Sequence, residues 1–105
     1  MPWIYLLIAG IFEVIWAYAL KQSYGFSRLI PSLITLFAMA ISIWLLALAM
    51  RTIPLGTAYL IWTGIGAVGA FLTGVILLAE PINLARLTAV ILIISGLIVM
   101  KLASP

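Results

Sequence analysis

Four long apolar runs, separated by short polar breaks, make up almost the whole chain. Each run is close to the length of about 20 residues that a helix needs to cross a hydrocarbon core of about 30 Å. The pattern therefore predicts an all-α fold, an integral membrane bundle of four transmembrane helices. The predicted helices cover residues 3–20, 29–50, 54–79 and 84–101.

Residues that end helices lie in every break, namely Gly25, Pro54 and Pro81. The fourth run has a short uncharged part with a cation at each end. Its uncharged part, between Arg86 and Lys101, has about 14 residues and a length of about 21 Å. We expect this helix to span the membrane with snorkelling ends or with local thinning of the bilayer.

The composition agrees with a membrane protein. Hydrophobic residues make up 68% of the 105 residues and charged residues 7%, which leaves too little polar surface for a soluble globular domain. No loop is long enough for a second domain, so we expect a single domain over residues 1–105. The first run is interpreted as a retained helix, because no short basic segment with a cleavage site precedes it.

The chain lacks the residues of most catalytic and metal sites. It has no cysteine and no histidine, which excludes disulfides and thiolate ligands and removes the commonest metal ligand. We expect no metal, no cofactor and no enzymatic activity, because the acid within the first run has no nucleophile or cofactor motif to work with. The net charge of +3 comes from cations at the ends of apolar runs, so nucleic-acid binding is not expected.

Charges in the short loops give almost no preference for one membrane orientation. One side carries Lys21, Arg28 and Arg86, and the other carries Arg51 and Lys101. Excess Lys and Arg normally keep a loop in the cytoplasm, so this balance favours insertion in both directions. Four helices leave little room for a substrate pocket within one copy, and we expect an antiparallel homodimer. The alternative is one orientation, set by Lys21 and Arg28.

Glu13 is the only charged residue in the first run and lies near its middle. An acid at that depth costs about 2.5–3.5 kcal/mol on insertion scales for a similar group, so its side chain is expected to face protein or water. No Lys or Arg lies inside an apolar run to pair with it. We interpret Glu13 as the functional acid. The alternative is a permanently protonated side chain that only holds helices together.

Helical spacing places candidate partners around Glu13. Gly10 and Trp16 lie three residues before and after it, on the same face of the first helix. Buried tyrosine and tryptophan tips need hydrogen-bond partners, and a carboxylate is a good acceptor. The candidate partners in the next two helices are Met39 and Ser42 in the second, and Tyr59, Trp62, Thr63 and Gly66 in the third.

Some of these residues also have simpler structural interpretations. A lone membrane serine such as Ser42 more often packs and bonds to the preceding turn of its own helix. The glycines of the third helix are most simply contacts that let backbones approach closely. Together they also predict a hinge in that helix, at Gly64, Gly66 and Gly69.

The sequence resembles the small multidrug resistance family over its whole length. The motifs that carry the resemblance are Gly10-Ile-Phe-Glu13-Val-Ile-Trp16, Gly25-Phe26-Ser27-Arg28-Leu29 and the segment from Pro54 to Ala67. Within that family the sequence is more similar to the guanidinium-exporter subtype than to the quaternary-ammonium multidrug subtype. Members of the multidrug subtype usually have a small residue where Trp16 stands and an aromatic residue where Met39 stands.

The resemblance implies a dual-topology antiparallel homodimer in a bacterial inner membrane, with one site between two Glu13 side chains. In that site Glu13 binds either protons or a planar guanidinium, which pairs with carboxylates through parallel hydrogen bonds. The resemblance further implies that other residues form the wall of the site and orient the acid by hydrogen bonding. These are Gly10, Trp16, Ser42, Tyr59 and Trp62, with Met39 and Thr63 as further candidates.

Proton coupling is expected from the acid itself. Desolvation and a second nearby carboxylate both disfavour the charged form of Glu13, and two such acids are expected to titrate as a coupled pair. Protons and a cation then compete for one site. Exchange of protons for the cation becomes obligatory if the empty, deprotonated dimer changes conformation only slowly. We expect the third helix to bend at its glycines during alternating access.

Three functions remain open on the sequence alone. The first is a proton-coupled antiporter that exports guanidinium and related small guanidinyl cations. The second is an exporter of quaternary ammonium and other hydrophobic cations. Trp16 and Met39 bear on that choice, because bulk and aromatic surface decide which cation fits. The third is a subunit of an obligate heterodimer, or a membrane subunit that does not transport.

Overall fold

Four α-helices joined by short loops form the part of the chain that the structure describes. This computed structural model describes residues 2–103, and Met1, Ser104 and Pro105 lie outside the described residues. All four helices are long and apolar enough to cross a membrane, which confirms the predicted all-α membrane bundle. The helices are α1 (Pro2–Gln22), α2 (Leu29–Ala49), α3 (Leu55–Leu77) and α4 (Leu84–Ala103).

The fourth helix is longer than its uncharged centre. It has 20 residues and includes both Arg86 and Lys101, so its length is about 30 Å at 1.5 Å per residue. The two cations lie in its first and last turns, the positions from which long side chains can snorkel to a membrane surface. This length is sufficient for α4 to span with snorkelling ends, and local thinning of the bilayer stays the alternative expectation.

The connection from α1 to α2 is a tight left-handed turn. Tyr24, Gly25 and Phe26 have φ angles of 47°, 69° and 66°, a region that residues other than glycine rarely occupy. The fully buried Ser23 holds the turn together. Its hydroxyl donates to the carbonyl of Leu20 at 2.7 Å and accepts from the N–H of Phe26 at 3.1 Å. The turn directs α2 back alongside α1.

The first helix is the centre of the bundle, with α2 on one side and α3 on another. A Cβ added at Gly66 would meet Glu13, and one added at Gly69 would meet Val14. Since the residue numbers of the two helices rise together, α1 and α3 run in the same direction. The backbone of α4 approaches that of α3 and of no other helix within the described residues.

The best-packed region lies at the end of the bundle that holds the connection from α2 to α3. Its buried members are Leu6, Leu46, Ala49, Ile53, Ala58 and Ile61. The protomer as a whole is thin, with Cα extents of 43 × 35 × 16 Å. The only buried residue of the described part of α4 is Val90. One protomer therefore presents large apolar faces to lipid or to another helix.

We expect Leu6→Ala to lower the free energy of unfolding by about 2–5 kcal/mol, because a fully buried side chain leaves a cavity among packed neighbours. The measurement is equilibrium unfolding in bicelles followed by circular dichroism. Leu7→Ala is the matched control, since the neighbouring side chain is 52% exposed and its loss leaves no cavity. Equal destabilisation by the two substitutions would contradict this account of the core.

Candidate functional site

The Glu13 side chain lies partly buried in the middle of α1, on the side that faces α3. The helix continues without interruption past the acid, from Pro2 to Gln22. One carboxylate oxygen, Oε1, is buried and accepts no hydrogen bond from the described part of the chain. Since buried polar atoms are normally paired, this oxygen is one of two buried polar atoms in the described residues that need an external partner.

The space for this carboxylate is provided by Gly66 of α3. A Cβ added to Gly66 would lie 2.8 Å from Cγ of Glu13 and would overlap its carboxylate oxygen. Gly10, one turn before the acid, makes a similar approach possible, because a Cβ there would lie 2.8 Å from Cβ of Ile65. Glycines on both helices therefore allow α1 and α3 to pack closely with an acid between them.

Trp16 carries the second buried polar atom without a partner. Its indole Nε1 is buried and donates to no acceptor within residues 2–103. Trp16 lies one helical turn after Glu13, so the two side chains share a face of α1. One face of the helix thus combines an unpaired acceptor and an indole ring, which are groups that bind an organic cation, with an unpaired N–H that needs an acceptor.

A hydrogen-bonded chain crosses from α3 through α2 to α1, one turn before the acid. Ser42 of α2 is fully buried, and its hydroxyl donates to the carbonyl of Ala9 at 2.7 Å. The same oxygen accepts a hydrogen bond from Nε1 of Trp62 at 2.9 Å. Ser42 is therefore more than a packing serine that bonds within its own helix, because it joins three helices.

The donors of this chain are already in use within the protomer. A serine hydroxyl and an indole each have one hydrogen to donate, and those of Ser42 and Trp62 go to Ala9 and Ser42. Neither group therefore donates to Glu13 in this arrangement. That Ser42, Tyr59 and Trp62 orient the carboxylates of a dimer stays a prediction.

Tyr59 extends the aromatic surface next to Trp62. The two ring centroids are 5.5 Å apart with an angle of 59° between the planes, which is a favourable tilted arrangement. Tyr59 is 51% exposed on the isolated protomer. Its ring and its hydroxyl therefore remain available to a ligand or to a second chain.

Two further candidates lie in different surroundings. Thr63 is exposed on the α4 side of α3, where it lines a cavity of about 420 Å³ with Leu97. It therefore lies apart from Glu13, although it belongs to the same predicted stripe as Trp62. Met39 is partly buried on α2, one turn before Ser42.

The predicted hinge glycines are all points of close approach. Gly64 packs against Leu97 of α4 and Gly69 packs against Val14 of α1, in addition to the contact between Gly66 and Glu13. The third helix is continuous from Leu55 to Leu77 across all three glycines. Their role as close contacts is visible in this conformation, and bending at these positions stays a prediction.

Sequence reasoning missed two features of the site. It did not recognise that Gly66 makes room for the acid, although Gly66 follows Trp62 by one helical turn on the predicted stripe. It also did not identify the carbonyl of Ala9 as the acceptor for Ser42. No side-chain pattern marks a backbone carbonyl, so only the relative position of α1 and α2 reveals this contact.

The whole chain is similar to known bacterial exporters. Residues 1–93 match the family model described as Small Multidrug Resistance protein. A protein named Guanidinium exporter from Yersinia pseudotuberculosis is 60% identical over 104 residues, which cover 99% of this chain and 100% of that relative. Proteins with the same name from Salmonella typhimurium LT2 and Citrobacter freundii are 59% and 57% identical, each over 99% of both chains.

These similarities agree with the four membrane-spanning helices. Together they identify a multi-pass protein of the bacterial inner membrane. The chain belongs to the small multidrug resistance family.

Proposed function

We propose that this chain is a proton-coupled antiporter that exports guanidinium and related small guanidinyl cations by alternating access. The observation that carries the proposal is the partly buried Glu13 carboxylate, which has an oxygen without a hydrogen-bond partner in the described residues. The names of the relatives from Yersinia and Salmonella support guanidinium as the substrate.

The chemistry of the site suits a guanidinium ion. This cation is planar, permanently charged and weakly hydrated, and it donates parallel N–H groups to a carboxylate. It also stacks on aromatic faces. Glu13 provides the carboxylate, and Trp16 adds indole surface one turn further along the same face of α1. Binding therefore takes place at Glu13, with Gly10, Trp16, Ser42, Tyr59 and Trp62 as its surroundings.

Proton coupling follows from the position of the acid in the membrane. A bare carboxylate is costly in a low-dielectric interior, so the transporter changes conformation readily only when Glu13 is neutralised. Either a proton or a guanidinium ion neutralises it, and both use the same oxygens. Each conformational change therefore carries one or the other, which couples export of the cation to import of protons.

The proposed working form is an antiparallel homodimer. A slab 16 Å thick exposes much of its helix surface, and Tyr59 is half exposed close to the hydrogen-bonded chain. A second copy inserted in the opposite direction would cover these faces and bring a second Glu13 to the site. The balance of Lys and Arg between the two ends supports insertion in both directions, and bending at Gly64, Gly66 and Gly69 would exchange the two open states.

We expect Glu13→Gln to abolish guanidinium-driven currents, because a neutral amide neither pairs with the cation nor exchanges protons. Glu13→Asp is expected to keep transport and to shift its pH profile. The measurement is solid-supported-membrane electrophysiology on proteoliposomes, with guanidinium compared with tetraethylammonium. Ser95→Ala, which removes a hydroxyl of α4 that is exposed on the protomer and bonds only within its own helix, is the control. Coupled transport by Glu13→Gln, or wild-type currents from tetraethylammonium alone, would overturn the proposal.

Gly66→Ala is expected to lower kcat/KM for guanidinium by about tenfold or more, since the added methyl group displaces the Glu13 carboxylate from its position. Alanine favours a helix by about 1 kcal/mol over glycine, so a loss of helix is not the cause. Gly56→Ala is the matched control on the same helix, because nothing lies within 4 Å of a Cβ added there.

Guanidinium affinity separates this effect from the loss of a hinge. Displacement of the carboxylate weakens binding, whereas a stiffened helix slows turnover at unchanged affinity. Unchanged affinity and unchanged transport in Gly66→Ala would show that Glu13 does not depend on this contact.

The dual orientation is testable with a single cysteine, because the chain has none of its own. We expect Thr52→Cys, in the exposed loop between α2 and α3, to react with a membrane-impermeant maleimide in about half of the molecules in intact spheroplasts. Permeabilisation should make the other half reactive. Labelling that is complete or absent before permeabilisation would show a single orientation and exclude the antiparallel homodimer.

A further inference from the structure

A second carboxylate, Glu80, lies beside a cavity between α1 and α3 that the proposed function has not used. This α1–α3 cavity has a volume of about 350 Å³ and is lined by Ala17, which lies one turn after Glu13 on α1, and by Ala70 of α3. At the connection from α3 to α4 its lining ends with Glu80 and Arg86. The cavity thus begins at the turn of α1 that follows Glu13 and ends at a charged mouth.

The end of α3 is folded so that Glu80 points back to this cavity. Ala79 has a φ of 53°, which is rare for a residue with a side chain. The reversal lets the N–H of Leu78 and the N–H of Glu80 both donate to the carbonyl of Gly74, at 3.1 and 3.0 Å. The Glu80 carboxylate then lies so close to Gly74 that an added Cβ would be 2.8 Å from its Cδ.

Glu80 already lies beside a guanidinium group, that of Arg86. Nη2 of Arg86 is 3.8 Å from Oε1 of Glu80, and Nη1 donates to the carbonyl of Pro81 at 2.6 Å. The Arg86 Cζ lies 5.2 Å from the centroid of the Phe71 ring. A carboxylate, a carbonyl and an aromatic ring are the groups that a free guanidinium ion also requires.

The ion pair of Arg86 with Glu80 is loose enough to be broken, while Nη1 of Arg86 keeps its hydrogen bond to the carbonyl of Pro81. The separation of 3.8 Å is long for a charge pair, and the two side chains are 38% and 40% exposed. Ion pairs as exposed as this one contribute little to stability. A second cation, Lys21, also lines the cavity, so the mouth carries more positive than negative charge. This excess charge repels every free cation, including guanidinium, so an ion binds here only if it can replace the contact of the arginine with Glu80.

We propose that Glu80 forms a second, transient guanidinium site at the mouth of the α1–α3 cavity, where Arg86 is a tethered competitor that a free guanidinium ion displaces. The site takes its substrate from the proposed function and adds a specificity step to it. A planar ion that stacks on Phe71 takes the place of the Arg86 guanidinium beside Glu80. An alkali cation cannot do so, because it neither stacks nor donates hydrogen bonds. Guanidinium therefore passes from Glu80 to Glu13, or in the reverse direction on release.

Binding at Glu80 is tested first without the central site. Guanidinium chloride is titrated into isotopically labelled Glu13→Gln protein in bicelles, with sodium chloride at equal ionic strength as the control, and the amide shifts of Gly74 and Ala79 are followed by NMR. We expect chemical-shift changes that saturate with guanidinium and do not occur with sodium. These changes should disappear in the double variant that also carries Glu80→Gln. Absent shifts, equal shifts with sodium, or shifts that survive Glu80→Gln overturn the proposal.

Competition by Arg86 is tested by charge-conserving replacement. Arg86→Lys keeps the positive charge but loses the planar group that stacks and forms paired hydrogen bonds. In the Glu13→Gln background we expect it to tighten guanidinium binding about two- to fivefold, the scale of an exposed ion pair. Lys21→Gln provides the comparison for charge alone. If Arg86→Lys leaves affinity unchanged or weakens it, Arg86 is a structural partner of Glu80 and the competition is excluded.

Transport by otherwise unmodified protein separates this inference from the proposed function. Glu80→Gln is expected to raise the KM for guanidinium about two- to fivefold with little change in the maximal current, in keeping with the loss of one exposed pair. Wild-type currents with no binding in the Glu13→Gln protein would overturn the Glu80 site alone. Binding at Glu80 without any wild-type current would overturn the proposed function and leave the site in place.

Discussion

Glu13 must be accommodated among hydrocarbon side chains, and the positions of three helices are consistent with this requirement. The acid lies on α1, the helix that contacts both α2 and α3. Gly66 provides its space, and the chain from Trp62 through Ser42 to Ala9 fixes the level at which α1, α2 and α3 meet. A buried charge is tolerated only where it gains a partner, and Oε1 of Glu13 has none within the described residues. In the proposed function, this missing partner is a proton or a cation.

Much of the fold could be predicted because membrane helices obey simple rules. Apolar length located all four helices, whereas the position of one acid in the first run predicts the centre of the site. The contacts between helices were harder, because spacing along one helix does not set its rotation or depth against another. Thr63 illustrates this limit, since it neighbours Trp62 in sequence but faces α4. Ser42 illustrates it too, because its acceptor is a backbone carbonyl of another helix.

The two ends of the bundle are packed differently. Near the connection between α2 and α3, large side chains such as Leu6 and Ile61 form a continuous core. At the opposite end, α1 and α3 face each other with small residues such as Ala17 and Gly74, and space remains between them. Well-packed cores resist deformation, whereas loosely packed regions rearrange at low cost. This difference suits a transporter, in which one end stays closed while the other admits the substrate.

The thinness of the protomer has a consequence for how such a protein can change over generations. A slab of 16 Å supplies only one wall of a binding site, and in the proposed homodimer the same gene encodes both walls. Every substitution therefore appears twice, once on each side of the substrate. One substitution in this sequence therefore changes both walls of the site at once. To change one wall alone, a second gene is required.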